Sequence, residues 1–206
     1  MNRYYAHLID PFFTKLVYDL GLSPNSVTLV ALLLGVGSAV ALLNGALVWA
    51  AILLQLHHFF DGADGNLARL TNRCSAAGAR LDRLSDQLVR VAVFVAVAIA
   101  AKVDGYLAVA FVATLYLDFW VVHRYVLPCL KRVTIHPMRW KKWFLDRGII
   151  PGYDHFTIFF LISLTALFDR LDIVIYLTLV LKNMEWIYRL GECYYSQKLG
   201  RSQADV

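Results

Sequence analysis

Charge is scarce in this chain. Only 17% of its 206 residues are Asp, Glu, Lys or Arg, against 59% hydrophobic ones, and that balance excludes an ordinary soluble domain. Cysteine is scarce too. Cys74, Cys129 and Cys193 form no CxxC pair and no even set, which excludes a disulfide framework and leaves three reduced, structural thiols. No internal repeat, low-complexity tract or second polar domain is visible. The first twenty residues are not expected to be a signal peptide, because Asp10, Pro11, Lys15 and Asp19 break any apolar core there. The net charge of +5 is not massed on a polar domain; basic residues lie in short connections between apolar runs, so a nucleic-acid partner is not expected.

What the chain has is apolar length. Runs near the roughly twenty residues that cross a bilayer occur at 24–43, 46–69, 79–101, 105–127, 150–168 and 171–191. The expectation is an all-α integral membrane protein of six transmembrane helices, forming one membrane domain over 1–206. An amphipathic interfacial helix over 1–21 precedes the bundle of 24–191, and a cytoplasmic tail of 192–206 follows it. The interfacial helix is read from the stripe Tyr4, Tyr5, Leu8, Ile9, Phe12, Phe13, Leu16, Val17 and Leu20. Asp10-Pro11 is expected to start its main section and Gly21 to end it. Ser23-Pro24 caps the first span, Asn44-Gly45 turns between the first two, and Ser75 with Gly78 opens the third. The polar stretch 128–149, with Lys131, Arg132, Arg139, Lys141, Lys142 and Arg147, is expected to be the largest loop. With a cytoplasmic N-terminus, 18 of the 20 Lys and Arg residues fall on or near the cytoplasmic side, leaving Lys102 and Arg170 opposite.

Against this background, four aspartates stand out in the 26-residue window 61–86. Asp61, Asp64, Gly65 and Ala68 share one face of the second span; Gly78, Asp82 and Asp86 are spaced by four on the third. A short loop makes these spans antiparallel neighbours, so the acidic faces are expected to oppose each other. One ionised aspartate at membrane depth costs on the order of 3 kcal/mol, and a whole fold is stable by roughly 5–15 kcal/mol, so four of them call for neutralisation. Divalent cations supply it, and hard carboxylate oxygens favour magnesium, manganese or calcium over zinc. A metal pair also clamps the charge of phosphoryl transfer. Gly65, Ala68 and Gly78 leave room for phosphates to approach the backbone, and Arg69 is placed to meet them.

The spacing Asp61-x2-Asp64-Gly65-x2-Ala68-Arg69-x8-Gly78-x3-Asp82-x3-Asp86 resembles the complete signature of the CDP-alcohol phosphotransferase (CDP-alcohol phosphatidyltransferase) family. Outside the window, the likeness extends to the Pro24-Asn25 opening of the first span, six helices and a length near 200. The resemblance implies a membrane enzyme of phospholipid synthesis that cleaves a CDP-linked donor, foremost CDP-diacylglycerol. It would pass the substituted phosphate to an alcohol acceptor and release CMP. It implies two Mg2+ or Mn2+ ions held by Asp61, Asp64, Asp82 and Asp86, with Asp86 also the general base. Asn25, Asp61, Asp64, Gly65, Arg69, Ser75 and Gly78 would bind the nucleotide, the site would face the cytoplasm, and family members are often homodimers.

Other readings remain open at this level. The "DGxDGxxAR" form of the first half, with Gly62, resembles members that use a soluble CDP-alcohol such as CDP-inositol. A cation transporter also gathers carboxylates, though it needs polar groups across both leaflets. An intramembrane prenyltransferase uses aspartates and magnesium at a different spacing. His57 and Asp61, at i and i+4, offer a zinc pair, but such histidines are more often packed. Gly35 and Gly37 with Ala39 and Ala41 form a candidate helix-packing stripe. For the acceptor, Arg124, Arg147 and Arg189 are candidates to hold a phosphorylated alcohol of the inositol phosphate or glycerol phosphate type; a Glu185–Arg189 pair is the structural alternative.

Overall fold

A computed structural model describes residues 2–132, 141, 143, 146–147 and 152–204, with side chains at 11–131, 141, 143, 146–147 and 152–197. The described elements are all helical: α1 (Asn2–Asp19), α2 (Pro24–Leu43), α3 (Leu47–Leu70), α4 (Ala76–Ala100), α5 (Gly105–Val121), a π-turn (Val122–Val126), α6 (Leu127–Arg132), α7 (His155–Leu167) and α8 (Leu171–Ala204). Among the described residues, two stretches suit a membrane crossing by length and composition, α2 with mean hydropathy 2.3 and Gly105–Lys131 with 1.7. α7, at 13 residues, is apolar but shorter.

The ends of α1, α2 and α3 follow one physical rule. The second residue past the helix turns left-handed, and the amides there return hydrogens to the orphan carbonyls of the last turn. After α1, Gly21 (φ +66°) donates to Tyr18 O at 2.9 Å and Leu22 to Val17 O at 3.1 Å. Gly45 (φ +73°) does the same after α2 and Asn72 (φ 53°) after α3. The Gly21 and Asn44-Gly45 expectations therefore hold. Asn72, a residue type that tolerates this conformation, makes the turn from α3 into α4. Ser23 caps α2 by accepting from Ser26 N, and Ser75 caps α4 by accepting from Gly78 N.

Other boundaries differ from the expectation. α1 runs through Asp10-Pro11, so that pair does not start a section. Lys131 and Arg132 extend a helix where a loop was expected, because the apolar run through Leu130 carries the helical pattern past the π-turn. Arg139 and Lys142 lie outside the described residues. α8 is a single helix of 34 residues, so residues 192–204, expected to form a tail, continue it as helix.

The chain divides into two compact units. The first holds residues 2–103 and 155–174. Its close packing sets α2 against both α3 and α4, α1 against α3, and α3 against α7; α3 and α4 are not among the closely packed pairs of described elements. The inner face of α2 is built of small residues, with Ala31, Gly35, Ser38 and Ala39 buried. A Cβ on Gly35 would stand 2.5 and 2.6 Å from the methyls of Val89 and 3.1 Å from Nδ1 of His57, so the sequence's small-residue stripe serves packing within the chain at this point. Gly35→Ala is expected to cost about 1–3 kcal/mol of stability by overpacking, measured by denaturant unfolding in detergent. Polar pins cross the same unit: Ser38 Oγ donates to Ala50 O (2.9 Å) and Gln55 Nε2 to Ser163 Oγ (2.8 Å). α1 docks through Phe13, stacked on Phe59 (centroids 4.8 Å) and edge-on to Phe60 (5.6 Å), while Phe12, Tyr18 and Leu20 stay exposed.

The second unit runs from Asp104 to Asp154 and from Ile175 onward. Its polar centre is Lys182, 3% exposed, whose Nζ donates to Asp118 Oδ2 (3.0 Å), Glu185 Oε2 (2.9 Å) and Tyr153 O (2.9 Å). Three donors meet three acceptors, the condition under which a buried ammonium is tolerated. Cys129 and Cys193 are free and buried in this unit, and burial with the neighbouring Cys129 thiol pushes Cys193 up to about 12.

Candidate active site

The site is built where α3 ends and α4 begins. Asp61, on α3, and Asp82 and Asp86, on α4, each offer a carboxylate oxygen, and these oxygens lie within 4.8 Å of one another, half-buried. A divalent cation with metal–oxygen distances of about 2.0–2.6 Å spans such a set. Because α2 carries the close packing to both helices, the gap between α3 and α4 is crossed by acid side chains.

Asp64 stands apart from this trio. It is 5% exposed, and its Oδ2 accepts the hydroxyl of Thr28, itself 4% exposed, from α2. The four aspartates therefore form a group of three and a fourth carboxylate fixed by another helix. Asp64 and Asp82 both line a cleft of about 200 Å3, and so do Asn25, Gly65, Arg69, Ser75 and Gly78. Of the residues expected to bind a nucleotide, only Asp61 lies outside the cleft lining. It belongs to the trio instead.

Local chemistry explains how these residues reach the cleft. At Gly78, a Cβ would come 3.0 Å from Asn25 Oδ1 and 3.1 Å from Ser75 Oγ, so the missing side chain lets the start of α2 approach the start of α4. Ser75 Oγ is occupied as the cap of α4. Arg69 folds back along its helix, donating from Nη2 to Asn66 Oδ1 at 2.7 Å, and its guanidinium passes within van der Waals reach of a Cβ on Gly65. The cleft thus combines two exposed guanidinium groups, of Arg69 and Arg73, with hydroxyl and amide groups and the carboxylates of Asp64 and Asp82. That is a surface fitted to an anion accompanied by cations.

Two functional candidates were not singled out in the sequence. Arg90 donates from Nη2 to Asp86 Oδ2 at 2.8 Å; its signal was the i, i+4 spacing from Asp86. Thr28 reaches Asp64 across 36 residues of sequence, with no local signal beyond its position one turn after Asn25. His57 is buried and pairs through Nδ1 with Ala31 O at 2.9 Å, a packed histidine rather than a partner of the acids.

The three acceptor candidates belong to the second unit, each with its own local contact. Arg124 lies in the π-turn with its guanidinium 5.6 Å from the Tyr125 ring centre. Arg147 stacks at 3.7 Å on Trp143 and donates to Trp143 O. Arg189 pairs with Glu185 one turn earlier, the structural alternative foreseen for it.

Cys74 lies in the cleft lining and is exposed, unlike Cys129 and Cys193. N-ethylmaleimide near neutral pH is expected to modify Cys74 alone, and bound nucleotide to slow that reaction, as read by mass spectrometry. Modification of Cys193 at a similar rate would contradict the burial that holds its thiol protonated.

Comparison with known proteins agrees with this geometry. Over 91 residues the chain is 38% identical to a phosphatidylinositol phosphate synthase of Corynebacterium glutamicum, covering 44% of this chain and 41% of that protein. It is 35% identical over 100 residues to a protein of the same name from Streptomyces avermitilis, covering 46% and 40%. A bifunctional IPC transferase and DIPP synthase of Aquifex aeolicus is 36% identical over 103 residues, covering 50% and 22%. The chain thus spans about two fifths, or less, of the length of these curated relatives. A longer match covers residues 21–184, taking in the acid trio, the cleft and most of both units: this chain belongs to the CDP-alcohol phosphatidyltransferase family.

Proposed function

We propose that this protein is a metal-dependent phosphotransferase that takes a substituted phosphate from a CDP-linked donor, foremost CDP-diacylglycerol, and joins it to an alcohol or phospho-alcohol, releasing CMP. The observation that carries the reading is the placement of three carboxylate oxygens within 4.8 Å, sharing Asp82 with a cleft lined by Asn25, Asp64, Gly65, Arg69, Ser75 and Gly78. The family match and the similarity to two phosphatidylinositol phosphate synthases favour an acceptor of the inositol phosphate type, with glycerol phosphate as the nearest alternative.

In this reading Asp61, Asp64, Asp82 and Asp86 hold two Mg2+ or Mn2+ ions, which supply neutralisation of the diphosphate charge. Arg69 meets the diphosphate from the cleft rim, and Asn25, Ser75 and the open backbone at Gly65 and Gly78 seat the nucleotide. The acceptor hydroxyl attacks the phosphorus distal to cytidine, the bond to the CMP oxygen breaks, and the acceptor proton passes to Asp86. Arg90, paired with Asp86, keeps that carboxylate oriented. Arg124, Arg147 and Arg189 are proposed to bind an anionic acceptor; Arg124→Ala then raises the acceptor KM far more than the donor KM.

The proposed setting is a six-span membrane domain with the N-terminus and the cleft on the cytoplasmic side and α1 in the headgroup plane. The bias of Lys and Arg and the exposed apolar residues Phe12, Tyr18 and Leu20 on α1 support it. A second reading, with a soluble donor such as CDP-inositol, draws on Gly62 in the motif and on the similarity to proteins named bifunctional IPC transferase and DIPP synthase. One assay separates the readings: purified protein with CDP-diacylglycerol or CDP-inositol and a panel of inositol, inositol phosphate, glycerol phosphate and serine, read as CMP release. No CMP from any pair overturns the proposal, and metal uptake without CMP favours a transporter.

A further inference from the structure

Of the four acids, Asp64 alone is buried to 5% exposure, lies outside the close trio, and is held by a side chain from a helix that contributes no acid to the site. The Thr28 hydroxyl that donates to Asp64 Oδ2 also lies 3.1 Å from Pro24 O, the carbonyl one turn back on α2. A hydroxyl has one hydrogen, and the carboxylate, which bears the greater charge, is the stronger acceptor. The position of that hydroxyl is set twice over. Thr28 is β-branched and 4% exposed, which restricts its side chain to few rotamers, and the Ser23 cap fixes where α2 begins. Thr28 also lines the cleft beside Asp64, one turn inward from Asn25.

We infer that Thr28 is a positioning residue for Asp64: it occupies Oδ2, so that the carboxylate enters the cleft in one orientation with its other oxygen available to a divalent cation. This rests on the metal reading given above. A carboxylate that accepts a neutral hydrogen bond keeps its charge and its second oxygen, which is how an outer hydrogen bond orients a metal ligand and raises affinity, typically by about 10–100-fold. Through this contact the start of α2, which also brings Asn25 to the cleft, becomes part of the cation site. A displacement of α2 would then be felt at Asp64 without any change in the acids themselves.

A crossed pair of substitutions distinguishes positioning from packing. Thr28→Val keeps the volume and removes the hydroxyl; Thr28→Ser keeps the hydroxyl and removes a methyl. The measurement is Mn2+ binding to the full chain in detergent, by electron paramagnetic resonance, alone and with CMP, beside the metal-free melting temperature. The inference expects Thr28→Val to weaken Mn2+ binding about 10–100-fold and Thr28→Ser to bind close to wild type. Wild-type affinity in Thr28→Val overturns it, and so does a Thr28→Ser variant as weak as Thr28→Val. If Thr28→Val does not fold, Thr28→Ser decides: near-normal binding supports the hydroxyl's role and a loss of binding overturns it. Absence of Mn2+ binding by the wild-type protein is a separate result that removes the metal reading itself.

Discussion

Asp86→Asn is expected to lower CMP release by about 100- to 10,000-fold, the range a positioned general base contributes, while nucleotide binding stays close to wild type. The substitution is nearly isosteric, so the cleft, whose lining does not include Asp86, keeps its shape. What changes is proton affinity and charge: an amide oxygen does not take up the acceptor's proton. It also answers Arg90, now 2.8 Å away, with a neutral dipole in place of a charge. Turnover and the affinity for a fluorescent cytidine nucleotide, measured on the same preparation, check the split. Retention of near-normal turnover would remove Asp86 as the base, and an equal loss of binding would recast it as a nucleotide contact. Arg90→Ala is expected to give a smaller loss of the same kind, since the carboxylate remains but is free to rotate.

Removal of divalent metal should have an effect of the same order. Chelation is expected to bring turnover to background, and added magnesium or manganese to restore it. The structural counterpart is a stability shift. Two unit charges about 4 Å apart repel by roughly 1–4 kcal/mol at effective dielectrics between those of water and a protein surface, and the Asp61, Asp82 and Asp86 oxygens lie within 4.8 Å of one another. A cation that binds the folded chain at one hundred times its dissociation constant adds about 2.7 kcal/mol. The wild-type melting temperature should therefore rise with Mg2+. In Asp61→Asn that rise should vanish, because one of the three carboxylate ligands is gone. A metal-dependent rise that survives Asp61→Asn would place the cation elsewhere.

Much of the site was legible because its determinants are local. Helical periodicity alone put Asp61 with Asp64 and Asp82 with Asp86, and the Gly21 and Asn44-Gly45 stops rest on a conformation few residue types adopt. What depends on distant residues was not legible. No spacing rule links Thr28 to Asp64, and none predicts that α2, rather than direct α3–α4 packing, carries the two motif helices. The expectation of opposed acidic faces was right for Asp61, Asp82 and Asp86 and too simple for Asp64, whose charge is met by a hydroxyl. Hydropathy windows also overlooked that α8 does not stop near 191. Polar residues on one face, such as Glu192 beside Lys141 at 2.6 Å, are satisfied by side-chain partners while the helix continues.

The uninterrupted α8 carries a mechanical implication. At about 1.5 Å per residue, its 34 residues form a rod of about 51 Å. In the six-span setting proposed above, with a hydrocarbon layer about 30 Å thick, about 20 Å of this rod would overshoot the lipid and stand in water as a stiff mast. A fluorophore or affinity handle fused beyond Ala204 would ride on that mast, clear of the lipid, and report the tilt of the embedded portion instead of the wandering of a loose end.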